Sequence, residues 1–459
     1  MKKRTCLCIL LLLLLTLSAA LAEGAEWTGY EWDGSTEGEV GERNCDIVSI
    51  NREPARIDTI PYDTADNALN GARDYRKELS PYYQLLSQTN WRFAWYENHD
   101  AAEAAGDFYA VGYDDSAWSD IFVPSVWQTE GYDYPIYTNS TQKFARQSGN
   151  SDVGYPRTLP TAPMVYNPVG LYRYSFSVSE DWEDRRVYIV FEGVDAAMYL
   201  WVNGVQVGYA EDSFTTDAFD ITPYLNFDGE NVLAVKVYRW CDGSWVEDQD
   251  MFDLSGIFRD VYLYATPNLQ VRDMSIVTDF DDTFTDSELS VTAYVRNTAD
   301  IVGDISLTVH LTDAEGNALS LAGSEATVTV APGEEQEVVL TMPVAAPRKW
   351  SAEDPYLYTL VLEEETAQGT VYESYLVGFR KITYKTTESG WYEGETTDQD
   401  LIRINGQPIS FRGVNRHETH PEYGYALTKE VMEEDIRILK ENNINAVRTS
   451  HYPNNPYWY

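Results

Sequence analysis

The stretch that most restricts the fold is the last one, GVNRHETHPEYGYALTKEVMEEDIRILKENNINAVRTSHYPNNPYWY, from Gly413 to Tyr459. Ile409 to Val414 reads as a short buried strand. Thr428 to Asn443 reads as an amphipathic helix, with Met432, Ile436 and Leu439 on one face. Glu430, Glu433, Glu434 and Asp435 crowd its first two turns, where the helix dipole favours acids. Ile444 to Thr449 reads as a second buried strand. Strand, helix, strand implies a parallel pair with a right-handed crossover, the repeat from which a βα barrel is built.

Each strand runs into a polar loop that carries a histidine. Asn415, Arg416 and His417 follow the first; Arg448, Ser450 and His451 follow the second. In a βα barrel the loops after the strands form the active face, so neighbouring strands aim His417 and His451 into one mouth. The chain has five histidines, and His417, His420 and His451 all lie here. Any one of them alone reads as an ordinary loop residue. The pair, at equivalent ends of adjacent strands and beside arginines, reads as a site.

Upstream, residues 1–22 read as a secretory signal. Lys2, Lys3 and Arg4 form its charged end, Ile9 to Leu15 its apolar run, and Ala20-Leu21-Ala22 its cleavage site. That predicts export, with no membrane attachment after cleavage. Cys6 and Cys8 leave with the signal. Cys45 and Cys241 remain; two cysteines are no disulfide framework, and sequence does not pair them. A formal charge of −41 excludes binding to a phosphate backbone as a main activity. Residues 23–84 read as an acidic leader and lead-in segment, mobile to about residue 60.

From 85 to 267 short strands dominate. Val187 to Phe191 and Val232 to Tyr238 read as buried strands, and Asn203-Gly204 as a two-residue hairpin turn between Met198–Val202 and Val205–Tyr209. Evenly spaced strands indicate a sandwich. Residues 268–385 repeat the signal: Leu289–Val295, Ile305–Thr312, Ala326–Ala331, Val338–Met342, Tyr356–Glu363 and Val371–Val377 suggest an immunoglobulin-like sandwich acting as a spacer. Residues 386–459 open the barrel, with Glu388 to Asp400 as a loop. Within Trp240 to Val261, five acids (Asp242, Glu247, Asp248, Asp250, Asp253) alternate with Trp245, Met251, Phe252, Ile257 and Phe258. Carboxylates held among apolar groups need cations or hydroxyl donors as partners.

GVNRHE at Gly413 to Glu418 and NAVRTSHYP at Asn445 to Pro453 resemble the signature of glycoside hydrolase family 2, and specifically of its β-galactosidases. VPSVWQTEGYDYPIYTN at Val123 to Asn139 and the Trp240 to Val261 segment resemble β-galactosidase segments too. The resemblance implies a multidomain, mainly β fold: a jelly-roll sugar-binding sandwich, an immunoglobulin-like β-sandwich, then the first βαβ of a truncated (β/α)8 TIM barrel. It implies an exo-acting retaining hydrolase of terminal β-galactosides such as lactose. Asp250 would contact a galactosyl hydroxyl and a sodium ion, and Asn139 a second sugar hydroxyl. His417 would stabilise the transition state through a ring hydroxyl, His451 would hold a galactosyl hydroxyl, and Arg448 would support the pocket. Magnesium is implied as well, with its ligands beyond the end of the chain. A homo-oligomer is compatible with the family.

Retaining hydrolysis needs two carboxyl groups about 5 Å apart. A barrel needs at least roughly 200 residues, and roughly 50 remain from Ile409 onward. The expectation is therefore an N-terminal portion of a β-galactosidase, from an incomplete gene, with both catalytic glutamates beyond Tyr459 and no activity as written. Glu418 and Glu422 have no second carboxylate at a fixed spacing. The two-strand piece leaves an unpaired parallel edge and uncovered apolar faces, which predicts poor order from 405 to 459. Three alternatives compete: a non-catalytic carbohydrate-binding sandwich protein, a family 2 β-glucuronidase or β-mannosidase, and an adhesion protein of tandem sandwiches.

Overall fold

The computed structural model describes residues 47–138, 162–163, 165–247, 249–384 and 402–459. The expected signal and leader to residue 46, Asn139, Asp248 and the expected loop from Glu388 to Asp400 lie outside the described residues.

The first sandwich sets a seven-stranded sheet against a four-stranded one. The larger runs, in spatial order, Ser49–Ile50, Val205–Glu211, Ala197–Val202, Asn231–Tyr238, Val169–Phe176, Thr89–Tyr96, Ser119–Val123. The smaller runs Asp217–Asp220, Arg186–Phe191, Val261–Thr266, Tyr83–Leu85. Trp91, Tyr172, Leu200, Leu233, Ile189 and Leu263 fill the space between them. The Asn203-Gly204 turn forms as its sequence dictates, with φ of 52° and 83°, the left-handed pair that a tight hairpin requires. Ala197–Val202 is buried at every position rather than at alternate ones. Its outer face is roofed by the loop after Thr89–Tyr96, where Tyr109 stacks on Trp201 at 5.3 Å and 9°.

The second sandwich pairs Leu269–Phe280, Ser287–Asn297 and Glu335–Val344 against Glu325–Val330, Gly303–Thr312, Tyr358–Thr366 and Gly369–Val377. Here one face of most strands is wet, so the alternation is clean, as in Ser287–Asn297. Its first strand, Leu269–Phe280, is missing from the sequence reading. A bulge between Val271 and Asp273 shifts its register, and one extra residue exchanges the inward and outward sets partway along.

The lead-in segment is a strap and not a mobile leader from Ser49 onward. Ser49–Ile50 pairs with Tyr209 and Ala210 of the first sandwich. Tyr62 bridges Tyr372 of the second. The helix Ala65–Asp74, capped by the Thr64 side chain, lies between. Lys77 then binds Asp58 at 2.8 Å, Glu192 at 3.1 Å and the Tyr262 hydroxyl at 3.2 Å. Buried Lys77 and Glu192 thus have an opposite charge or a hydroxyl to replace lost water.

Residues 402–459 form the expected unit. Gly413–Arg416 and Ala446–Thr449 pair in parallel, with Asn415 opposite Arg448. The helix Lys429–Glu441 connects them, and Thr428 caps it on Val431 N at 3.4 Å. The strands are not buried as expected: Gly413, Val414 and Asn415 are exposed, and so are Ile436 and Ile438 on the helix. A parallel pair buries its faces only when further strands and helices cover it. The unit is nevertheless tied down, because Tyr425, Tyr452 and Ala426 pack with Val126, Phe214, Met251, Leu254 and Phe258 of the first sandwich.

Candidate active site

The register of two short strands decides what the acidic segment presents. Met251–Asp253 pairs with Ile136–Thr138, so that Phe252 faces Tyr137 across the ladder and Met251 faces Thr138. Met251 and Asp253 turn inward; Phe252 and Tyr137 turn out, with ring centroids 5.5 Å apart. Asp250, one residue earlier, is exposed and accepts a hydrogen bond from the Tyr137 hydroxyl.

Its neighbouring acids have structural work. Asp253 accepts from Trp240 Nε1 at 2.9 Å and pairs with buried Arg239, which also holds Asp133. Glu247 accepts from Ser213 N at 3.0 Å and Ser213 Oγ at 2.8 Å. Asp242 lies beside Glu211 and the Cys241 thiol, all three close enough to share an ion. Glu211 is already bonded there by the Tyr209 hydroxyl and Gly243 N. Burial, then the charge of Asp242, pushes Glu211 up to about 7. Cys241 is a buried free thiol, raised well above the usual range by the same burial.

The histidine loops meet as their strand ends require. The His417 and His451 rings stand edge to face, 5.6 Å between centroids. Ser450 Oγ lies 3.1 Å from His451 Nε2. His417 titrates below the ordinary histidine range, first because its inner side loses water and next because His451 adds like charge, while Asp250 pulls the other way. The Tyr425 hydroxyl donates to Phe252 O, pinning the loop after His417 to the strand after Asp250.

Of the four expected sugar contacts, His417 and His451 stand ring to ring, and Asp250 is bonded to Tyr137 on the sandwich side. Asn139 lies outside the described residues, next to Thr138. Arg448 is exposed and donates to Asn415 Oδ1 at 3.4 Å. His420 is a turn residue stacked on Tyr423 at 4.5 Å. A cavity of about 690 Å³ between the strap, the first sandwich and the barrel helix is lined by Tyr423 but by none of Asp250, His417, His420, Arg448 and His451.

An exposed and a half-buried imidazole, a carboxylate, a phenol and the Phe252 face suit a neutral polyhydroxylated ligand, with hydroxyls bonded at its edge and apolar faces packed on rings. A cation beside Asp250 would gain one carboxylate from it, which would suit a shared role and not a complete oxygen cage. Glu418 is unavailable as an acid or base, because Arg259 and the Asn455 amide occupy both its oxygens.

Family models agree with this architecture. The sugar binding domain of glycosyl hydrolases family 2 matches residues 86–267, a second family 2 domain matches 269–380, and the family's TIM barrel domain matches 395–459. The chain belongs to glycosyl hydrolase family 2.

Among family 2 relatives it is 43% identical over 420 residues to a beta-galactosidase of Priestia megaterium, covering 91% of this chain and 38% of the relative. It is 37% identical over 419 residues to a beta-galactosidase of Halalkalibacterium halodurans, again covering 91% and 38%. The chain therefore spans well under half the length of these relatives. Among solved structures, a Bacteroides uniformis beta-glucuronidase superposes with a TM-score of 0.64 at 24% identity, over 82% of this chain and 40% of that one. A putative beta-galactosidase from Bacteroides fragilis gives 0.59 at 20%, over 82% and 50%. These likenesses speak to the fold.

Sequence reasoning missed Tyr137, Arg259 and the Phe214–Tyr425–Tyr452 cluster. Tyr137 was legible in principle, since it lies in the same sequence segment as the expected contact at Asn139. Arg259 was not, because its partner Glu418 is 159 residues away.

Proposed function

We propose that this chain is the substrate-cupping portion of a retaining β-galactosidase that releases terminal β-D-galactose. The reading is supported by the meeting of His417 and His451, from two successive barrel loops, and by the bond from Tyr425, in the loop after His417, to Phe252 O, two residues after Asp250. In it, Asp250 holds a galactosyl hydroxyl and shares a sodium ion. Asn139 and His451 hold further hydroxyls. His417, kept neutral by its surroundings, hydrogen-bonds a ring hydroxyl as charge develops at the anomeric carbon. Arg448 supports the rim. The two catalytic carboxyl groups and the magnesium ligands belong to the part of the relatives that these residues do not span. The galactose preference is supported by the names of the relatives at 37% to 43% identity.

The test is calorimetric binding of a β-thiogalactoside to the chain, with and without sodium. Weak, sodium-dependent binding that Asp250→Asn removes is expected. Equal or tighter binding of a thioglucuronide would defeat the substrate assignment. Export through residues 1–22 is part of the proposal, resting on their charged end, apolar run and small-residue site. N-terminal sequencing of the secreted product should begin near Glu23; an uncleaved, cell-retained chain would refute it.

A further inference from the structure

The loops that carry His417, His451 and Asp250 come from distant parts of the chain, and one buried ion pair touches all three regions. Arg259 Nη2 donates to Glu418 Oε2 at 2.8 Å, and both side chains are 2% exposed. The same nitrogen donates to Pro453 O at 2.7 Å, while Nη1 donates to Phe214 O at 3.0 Å. Glu418 directly follows His417, and its carboxylate accepts from Asn455 N at 3.0 Å, in the loop that begins with His451. Its own N–H donates to the Tyr452 hydroxyl at 3.0 Å. Arg259 closes the segment that starts at Asp250, and Met251, Leu254 and Phe258 between them form the apolar seat for Tyr425 and Tyr452.

A buried ion pair is a poor stabiliser, because desolvation consumes most of its attraction. What it supplies is direction. Apolar packing between Phe214 and Tyr452 tolerates sliding, whereas a carboxylate shared by a guanidinium and an amide is satisfied in one arrangement only. Glu418 is bonded from the sandwich and from the second histidine loop at once, so the three regions are triangulated on a single carboxylate.

We infer that Glu418 and Arg259 are positioning residues: their ion pair sets the separation of the His417 and His451 imidazoles and registers both to Asp250. The inference rests on the galactoside reading of the cup, but the geometry can be tested without it.

The experiment is solution NMR on the full chain with labelled histidine, comparing the parent with Glu418→Gln, which keeps the shape, and Glu418→Asp, which keeps the charge. In Glu418→Gln the ring-to-ring Overhauser effect between His417 and His451 should fall several-fold. Exchange of the Asn455 amide should accelerate about 10-fold or more. The sandwiches should stay folded, as their melting transition reports, and Glu418→Asp should recover part of both signals. An unchanged Overhauser effect and an unchanged exchange rate in folded Glu418→Gln would overturn the inference. Should that variant unfold the sandwiches, Arg259→Lys decides: it keeps the charge but not the forked reach, so a retained Overhauser effect overturns the proposal and a lost one supports it. If these signals respond while no β-thiogalactoside binds the parent, the clamp stands and the substrate reading falls. If the thiogalactoside binds and the signals stay fixed, the reverse holds.

Discussion

Gly424 is where the barrel unit meets the first sandwich most closely, and Gly424→Ala should undock it. The residue sits at φ +59°, in the left-handed region. An alanine there costs about 1–2 kcal/mol in backbone strain. An added Cβ would lie 2.4 Å from Val126 Cγ2 and 3.1 Å from Leu254 Cδ1. Both neighbours are buried with nowhere to retreat, and overpacking of this kind costs about 1–3 kcal/mol. Lower entropy of the unfolded alanine chain offsets less than about 1 kcal/mol. The net loss of about 2–4 kcal/mol falls on the docking contact alone, because Gly424 lies outside the sandwich strands. Each 1.4 kcal/mol is tenfold in an equilibrium constant, so the open population rises by about 30-fold or more. Chymotrypsin reads that population when reclosing is fast. Cleavage at Tyr425 and Tyr452 should accelerate accordingly, while the sandwiches keep their melting temperature. Gly112→Ala, where an added Cβ meets nothing within 4 Å, should match the parent. Equal cleavage of the Gly424→Ala variant and the parent would refute the docking described above.

Three further outcomes are expected. Asp253→Ala removes a buried partner of Arg239 and Trp240 and should cost about 3–5 kcal/mol in denaturant unfolding; a loss under about 1 kcal/mol would mean the pair contributes little. Tyr137→Phe deletes the donor to Asp250 on the surface, so it should leave melting unchanged and weaken β-thiogalactoside binding about 3-fold or more, as for loss of one charge-assisted hydrogen bond; unaltered binding would remove Tyr137 from the site. Burial raises the Asp217 carboxyl to about 7 against the pull of Arg52. A raised acid favours the fold while protonated, so its contribution is complete below the ordinary carboxylate range and is lost as pH rises through about 7. The melting temperature should fall between pH 5 and 8, less steeply in Asp217→Asn; a parent that melts higher at pH 8 would contradict this.

Much of the architecture was legible because its signals are local. Asn203-Gly204 needs only its own backbone to turn, and Ser287–Asn297 alternates because one of its faces is wet. Leu269–Phe280 was hidden because a bulge breaks the two-residue period. The strap was hidden because Ser49–Ile50 is a strand of two residues, held by partners more than a hundred positions away. At the site, His417 and His451 were readable from equivalent strand ends, and Asp250 from its segment. That Asp253 and Glu247 would be spoken for while Asp250 stayed exposed was not readable, since Arg239 and Ser213 become their partners only after folding.

The strap also fixes an order of assembly. Arg56 binds Glu373 across 317 positions, and Ser374 Oγ donates to Ala68 O across 306. On the ribosome, or emerging from an export channel, the first part of the chain waits until the final strand of the second sandwich has appeared. Until then Ile60, Tyr62 and Ala68 have no complete apolar seat. Contacts this distant in sequence close slowly and leave sticky surface uncovered meanwhile. A chain so built depends on late-arriving residues to shelter its earliest ones, and a delay between the two is when it is most open to misassociation.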